Sequence, residues 1–138
     1  MAKLVKGDKF PDFTVDTHMK KGVKISQIVD GKPTALLVIR YIGCTVCRYD
    51  VHQIAVNYQK FVDRGLNVAV VMQSTAENVN KDLERTKETL PYPIVCDPEE
   101  KIYKELEILP AESMEALVGG DMAGLQAKGA RAAKRGYV

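Results

Sequence analysis

Two cysteines separated by two residues, Cys44 and Cys47, are the clearest candidates for chemistry in this chain. An apolar run over residues 34–39 precedes them, and a pattern typical of an amphipathic helix follows them. The pair is therefore predicted to lie where a strand gives way to a helix. The first N–H groups of a helix are unpaired and carry partial positive charge, so they stabilise a thiolate. This arrangement predicts a dithiol that cycles to a disulfide.

Two arginines flank the pair. Arg48 follows Cys47 directly, and its positive charge could lower the pKa of a neighbouring thiol, although it could equally be a solvated side chain on the first helical turn. Arg40 is the weaker candidate because it falls within the predicted strand. The predicted catalytic residues are therefore Cys44, Cys47 and Arg48. In the usual scheme Cys44 attacks and Cys47 resolves the mixed disulfide, but the reverse order stays open.

A metal site is the competing interpretation of the two cysteines, which supply half of a tetrahedral zinc site. Further ligands would have to be Cys96, His18, His52 or groups from a second chain. Cys96 is predicted at the end of a short strand, where it is either a third functional thiol or a buried residue. No second Cys-x-x-Cys occurs, and His52 falls on another face of the helix. We expect no metal and no cofactor within one chain, with a thiolate metal site across a dimer as the alternative.

Length and composition favour one domain spanning residues 1–138, because 46% hydrophobic and 28% charged residues are ordinary for a globular protein. A net charge of +2 is too small to indicate nucleic acid as a partner. The longest apolar run is too short to cross a membrane, and the start has no signal-peptide core. Three cysteines do not form a secreted disulfide framework, so we expect a cytoplasmic protein.

Strand and helix patterns alternate along the chain. This order favours an α/β sheet with right-handed crossovers. Strands are predicted at 10–15 (an edge strand), 34–41 (a central strand), 66–72 and 94–96. Helices are predicted from the cysteines to 62, from a capping box at 74–77 to about 90, from Asp97 onward and over 112–118, followed by helical or loose material.

Three segments carry a resemblance to a known family. They are residues 7–15 (GDKFPDFTV), 31–33 (GKP) and 93–98 (PIVCDP), and in this order they resemble the peroxiredoxins, also called the alkyl hydroperoxide reductase/thiol-specific antioxidant family. The resemblance implies a thioredoxin-like three-layer fold with a central mixed sheet. It also implies an antioxidant thiol-dependent oxidoreductase, a peroxidase or a disulfide reductase, that is recycled by a thioredoxin-like reductant.

The chain departs from the peroxiredoxin motif Pro-x-x-x-Thr-x-x-Cys. If Cys47 is the peroxidatic cysteine, Arg40 and Cys44 replace the Pro and the Thr. If Cys44 is that cysteine, Leu37 and Tyr41 replace them. The chain therefore looks more like a peroxiredoxin-like branch whose Cys-x-x-Cys approaches thioredoxin chemistry.

The C-terminal part lacks a pattern that the thioredoxin-like fold normally has. That fold ends in a hairpin entered through a cis-proline, whereas Pro110 is the last proline here and a helical pattern follows it. The domain is thus expected to lack this hairpin, through truncation or by evolution. An uncovered sheet edge would result, which favours a homodimer or strand exchange. A non-catalytic dimerisation module is accordingly a second interpretation.

Overall fold

The computed structural model describes residues 3–110, 112, 113, 116, 119 and 121–135. The elements with given bounds along these residues are five strands and six helices. The strands are β1 (Thr14–Thr17), β2 (Val23–Lys24), β3 (Thr34–Val38), β4 (Asn67–Met72) and β5 (Ile94–Cys96). The helices are α1 (Ile25–Val29), α2 (Thr45–Val56), α3 (Tyr58–Asp63), α4 (Ala76–Thr86), α5 (Lys101–Glu105) and α6 (Met122–Lys134).

The five strands form one mixed sheet in the order β2-β1-β5-β4-β3. Strands β3, β4 and β5 run parallel, whereas β1 runs antiparallel to both β2 and β5. The parallel strands are joined through helices, as parallel neighbours require. The predicted α/β class with a mixed sheet is confirmed.

Alternate residues of β4 point to opposite faces of the sheet and build two separate cores. On one face Val70 and Met72 join residues of α2 and α4. On the other face Val71 joins residues of α1 and α5. Because β4 lies inside the sheet and is covered on both faces, its sequence is apolar at nearly every position. Helices on the two faces of one sheet give the three layers that were expected.

The first and third strands differ from the sequence-based prediction. The first strand is β1 at Thr14–Thr17 rather than residues 10–15, and it is not an edge strand because β2 and β5 flank it. Strand β3 ends at Val38 rather than at residue 41, and all five of its residues are only half-buried. Within the described residues it pairs with β4 alone, so it is an edge strand and not a central one.

Two helices also differ from the sequence-based prediction. The single helix predicted after the cysteines is interrupted at Asn57, which separates α2 from α3. Helix α4 is capped by Thr75, whose hydroxyl accepts from the N–H of Asn78, and not by Ser74. It ends at Thr86, because Lys87 adopts a left-handed conformation, and does not continue to about residue 90 as predicted.

Most of the helix predicted over 112–118 lies outside the described residues, as do residues 136–138. In the part of the chain that the structure describes, no strand follows β5 and no peptide bond is cis. None of the helices described there combines the length and the apolar character needed to cross a membrane.

The basic helix α6 packs against α2. Lys128 forms an ion pair with Asp50, and the guanidinium groups of Arg131 and Arg135 lie 5.7 and 5.5 Å from the ring centre of Tyr49. These three basic residues recur at helical spacing and so share one face of α6. Their contacts with an acid and an aromatic ring show that part of this face holds α6 in place.

Candidate active site

Cys44 and Cys47 lie at the start of α2, beyond the end of β3. Cys44 is the N-cap residue and has extended backbone dihedrals, while Cys47 belongs to the first turn of the helix. The N–H of Cys47 donates to the sulfur of Cys44 over 3.4 Å. A sulfur therefore occupies the place where a cap oxygen normally accepts a helical N–H, next to the partial positive charge of the helix start.

Burial distinguishes the two thiols, which are both free. Cys44 is half-buried, whereas Cys47 is only 6% exposed. Burial raises the pKa of the Cys47 thiol to about 11, and its hydrogen bond with Cys44 adds to the shift. Cys47 is therefore a neutral thiol near neutral pH. The accessible sulfur of Cys44 is the better placed of the two to meet a substrate.

Arg40 is the arginine that approaches the sulfur. Its Nη1 atom lies 4.0 Å from Sγ of Cys44, and its guanidinium lies 5.1 Å from the ring centre of Tyr41. The expectation that Arg40 is held within a strand was wrong, because β3 ends two residues earlier. Its exposed side chain can instead place positive charge beside a Cys44 thiolate.

Arg48 is directed to other groups. Its Nε donates to the carbonyl oxygen of Ile42 over 2.7 Å, and its Nη2 lies 3.1 Å from Oδ1 of Asp82 in α4. The hydroxyl of Ser74 accepts from the N–H of Ile42 over 2.9 Å. Ser74 and Asp82 therefore belong to the surroundings of this site, and the sequence did not single out either of them for that role.

The remaining candidates from the sequence have other surroundings. Cys96 is buried in β5, its sulfur lies 3.5 Å from the carbonyl oxygen of Ile94, and burial raises its pKa to about 11. The Nδ1 atom of His18 accepts from the N–H of Ile94, and burial lowers the pKa of this histidine. The Nδ1 atom of His52 lies 2.8 Å from the carboxylate of Glu88.

These positions give no metal centre within the described residues. There, no three side chains of His, Cys, Asp or Glu come together in a group that could hold a metal ion. A thiolate site shared between two copies of the chain stays a prediction, because it would draw ligands from a second copy.

The family model for the AhpC/TSA family matches residues 6–129, which is most of the chain. The chain belongs to the AhpC/TSA family. The predicted resemblance is thereby confirmed, and this family member carries the pair Cys44 and Cys47 at the helix start described above. Comparison with curated proteins gives no match.

Solved structures confirm the thioredoxin-like fold of this AhpC/TSA chain. A cysteine mutant of peroxiredoxin 6 from Arenicola marina is 17% identical with a TM-score of 0.72, over 80% of this chain and 52% of its own. A yeast mitochondrial 1-Cys peroxiredoxin is 18% identical with a TM-score of 0.69, over 77% of this chain and 52% of its own.

A protein named for disulfide interchange has a similar fold. A candidate thiol:disulfide interchange protein, DsbE, from Chlorobium tepidum is 21% identical with a TM-score of 0.63, over 78% of this chain and 73% of its own. The AhpC/TSA chain thus spans about half the length of the two peroxiredoxins and a larger share of the interchange protein.

Proposed function

We propose that this protein is a peroxiredoxin-like thiol-disulfide oxidoreductase that cycles Cys44 and Cys47 between dithiol and disulfide. The observation that carries the proposal is the half-buried sulfur of Cys44 at the N-cap of α2, with the Cys47 N–H directed to it. Membership of the AhpC/TSA family supports a thiol-dependent reaction. The site of action is proposed to be a reducing cytoplasm, where free thiols persist.

In the proposed reaction with a disulfide, the Cys44 thiolate attacks one sulfur and displaces the other as a thiolate. Cys47 then loses its proton, attacks Cys44 and releases the second substrate thiol. The product is the Cys44–Cys47 disulfide, and a thioredoxin-like dithiol supplies the two electrons that restore the reduced pair. Cys44 is assigned as the attacking residue because Cys47 is buried and its pKa is raised.

A peroxide is the alternative oxidant in the same cycle. The Cys44 thiolate would attack the O–O bond and form a sulfenic acid while an alcohol or water leaves, and Cys47 would condense with it and release water. Leu37 and Tyr41 stand where peroxiredoxins carry the Pro and Thr of this cysteine's motif. Since neither the Pro nor the Thr that help orient the peroxide in that family is present, we favour the disulfide as the better substrate.

Single substitutions Cys44→Ser and Cys47→Ser test the proposal in assays of insulin disulfide reduction and peroxide consumption. We expect Cys44→Ser to abolish turnover, because the nucleophile is lost. Cys47→Ser should still attack but should stop at a mixed disulfide that mass spectrometry detects. Wild-type protein that turns over neither substrate would refute an enzymatic role.

The open edge of β3 favours a second candidate, an interaction module that pairs with another copy of the chain. The carbonyl of Pro33 and the N–H of Ile39 bond to β4, so the alternate peptide groups of Leu36 and Val38 face away from it. Such outward groups are a template for strand pairing. A homodimer formed through β3 would show a concentration-dependent elution volume in size-exclusion chromatography.

A further inference from the structure

The backbone N–H and carbonyl of Ile42, two residues before Cys44, are both hydrogen-bonded to side chains. The hydroxyl of Ser74 accepts from the N–H of Ile42, and Nε of Arg48 donates to its carbonyl oxygen. Ser74 is 6% exposed and Ile42 is 7% exposed, so water competes little for these hydrogen bonds. One partner follows β4 and the other lies in the first turn of α2.

Arg48 is itself anchored to α4. Its Nη2 lies 3.1 Å from Oδ1 of Asp82, and the two side chains are only 16% and 10% exposed. Asp82 also accepts from Arg85, which is far more exposed at 51%. The planar guanidinium of Arg48 thus bridges a carboxylate and a backbone carbonyl through different nitrogen atoms. A lysine ammonium is a point charge without this fork, so it does not reproduce the bridge.

A short, tight turn links Ile42 to the active-site sulfur. The N–H of Cys44 donates to the carbonyl of Tyr41 over 3.1 Å. At Gly43, a Cβ would come 2.9 Å from the ring of the exposed Tyr41, so a larger residue would require that ring to move. With only this turn between them, a fixed Ile42 restricts where the sulfur of Cys44 can lie.

We propose that Ser74, Arg48 and Asp82 are positioning residues that act through Ile42 to hold Cys44 at the N-cap of α2. The role of Arg48 is then geometric, through its bridge between α4 and the turn, rather than the supply of charge to a thiolate. This inference rests on the proposed function for its chemical consequence, which is easy closure of the Cys44–Cys47 disulfide. Closure costs less when the backbone of Cys44 is already ordered.

The equilibrium with glutathione measures this consequence. One oxidised glutathione and the two thiols give the Cys44–Cys47 disulfide and two reduced glutathione molecules. If the backbone of one residue is free in the reduced variant, ordering it when the disulfide closes costs about 1–2 kcal/mol. The equilibrium constant for disulfide formation should therefore fall about tenfold in Arg48→Gln and Ser74→Ala. The equilibrium constant of Arg48→Lys should fall by the same factor as that of Arg48→Gln. Arg85→Gln, which removes the other partner of Asp82, should stay within about twofold of wild type.

An electrostatic role and a geometric role of Arg48 predict different equilibrium constants for Arg48→Lys. Wild-type behaviour of Arg48→Lys beside a loss in Arg48→Gln would overturn the proposal in favour of a purely electrostatic Arg48. An unchanged constant in folded Ser74→Ala would overturn it as well. Circular dichroism verifies that each variant folds, and Ser74→Ala and Arg48→Lys provide two independent tests should Arg48→Gln unfold.

Amide hydrogen exchange separates a failure of this inference from a failure of the proposed function. Protection of the Cys44 amide, which donates to the carbonyl of Tyr41, should drop in Arg48→Lys and Ser74→Ala but not in Arg85→Gln. This measurement needs no disulfide. Wild type that never forms the Cys44–Cys47 disulfide would refute the redox cycle, whereas equal protection in all variants would refute the positioning role.

Discussion

At the scale of single residues, burial gives three chemically identical thiols different properties. Cys44 is half-buried at a helix start, whereas Cys47 and Cys96 are buried and each has a pKa raised to about 11. A thiolate is the reactive form of cysteine, so the two buried thiols are shielded both sterically and by protonation. The proposed division between attacking and resolving cysteine thus rests on their different positions in the fold.

We expect iodoacetamide at pH 8 to label Cys44 before the other two cysteines. The reason is that alkylation requires an accessible thiolate, and Cys47 and Cys96 stay protonated well above this pH. Peptide mass spectrometry after a short exposure gives the order of labelling. Cys44→Ser should lose the fast phase and the matched variant Cys96→Ser should keep it, whereas equally fast labelling of Cys96 in folded wild type would contradict the assignment.

Stability should fall as pH rises above 9. The pKa of the Cys47 and Cys96 thiols rises from 9.0 to about 11 on folding, so between these values the unfolded chain has lost protons that the folded protein keeps. The stability that these two thiols contribute is fully present below pH 9 and is lost as the pH rises toward 11. Urea unfolding from pH 8 to 9.5 measures this slope, because the buried tyrosines Tyr92 and Tyr103, whose pKa is also raised by folding, contribute mainly above the usual tyrosine pKa of 10.0. Cys96→Ala should flatten it, and an unchanged slope would refute the attribution to this thiol.

At the scale of elements, α6 is held on α2 by basic side chains over an aromatic ring. Arg131 lies over Tyr49 and Lys134 is exposed on the same helix, so the two residues form a matched pair. We expect Arg131→Gln to lower the free energy of unfolding by about 0.5–1 kcal/mol more than Lys134→Gln, because only the arginine loses a cation–π contact. Urea unfolding provides the comparison.

A double-mutant cycle supplies the control for this contact. In a Tyr49→Leu background, the aliphatic side chain keeps apolar bulk but offers no ring face, so Arg131→Gln should cost no more than Lys134→Gln. A difference that persists in this background would show that Arg131 stabilises the protein by another route.

The sequence predicted the elements best where burial was complete. The apolar run of β4 and the strand at Ile94–Cys96 were found nearly to the residue, since each is covered on both faces. Strand β3 was extended too far because its sequence is as apolar as that of β4, although no strand covers its outer edge among the described residues. An apolar run indicates that both faces of a strand are buried, but it does not indicate whether both edges of the strand are paired.

Only those features of the candidate site that depend on residues close together in the sequence could be predicted. The Cys-x-x-Cys and its helix start are local features and were placed correctly. Ser74 was assigned to a helix cap because Ser and Thr are both good caps, and only the tertiary contact with Ile42 reveals its position. The bridge from Arg48 to Asp82 joins residues 34 positions apart. No spacing rule within one element signals such a contact.

At the scale of the whole molecule, the thiol site and the open sheet edge are neighbours. Two clefts of about 470 and 720 Å³ flank the end of β3, and Ile39 lines both. One cleft lies beside α2, with Leu37 and Phe61 in its wall, and the other lies beside α5, with Tyr103 in its wall. Whatever pairs with β3 would therefore also cover apolar walls on both faces, next to the turn that leads to Cys44.

If a second copy pairs with β3, a charge placed at that edge should weaken the dimer. Thr34→Lys puts an ammonium at the first residue of β3, and a two-fold interface would contain it twice, so the dissociation constant should rise about tenfold or more. Thr14→Lys is the matched control, because it makes the same change on β1, which has neighbours on both sides. Sedimentation velocity at several concentrations gives both constants. A wild-type protein that remains monomeric at every concentration, or equal weakening by both substitutions, would mean that β3 is not the dimer edge.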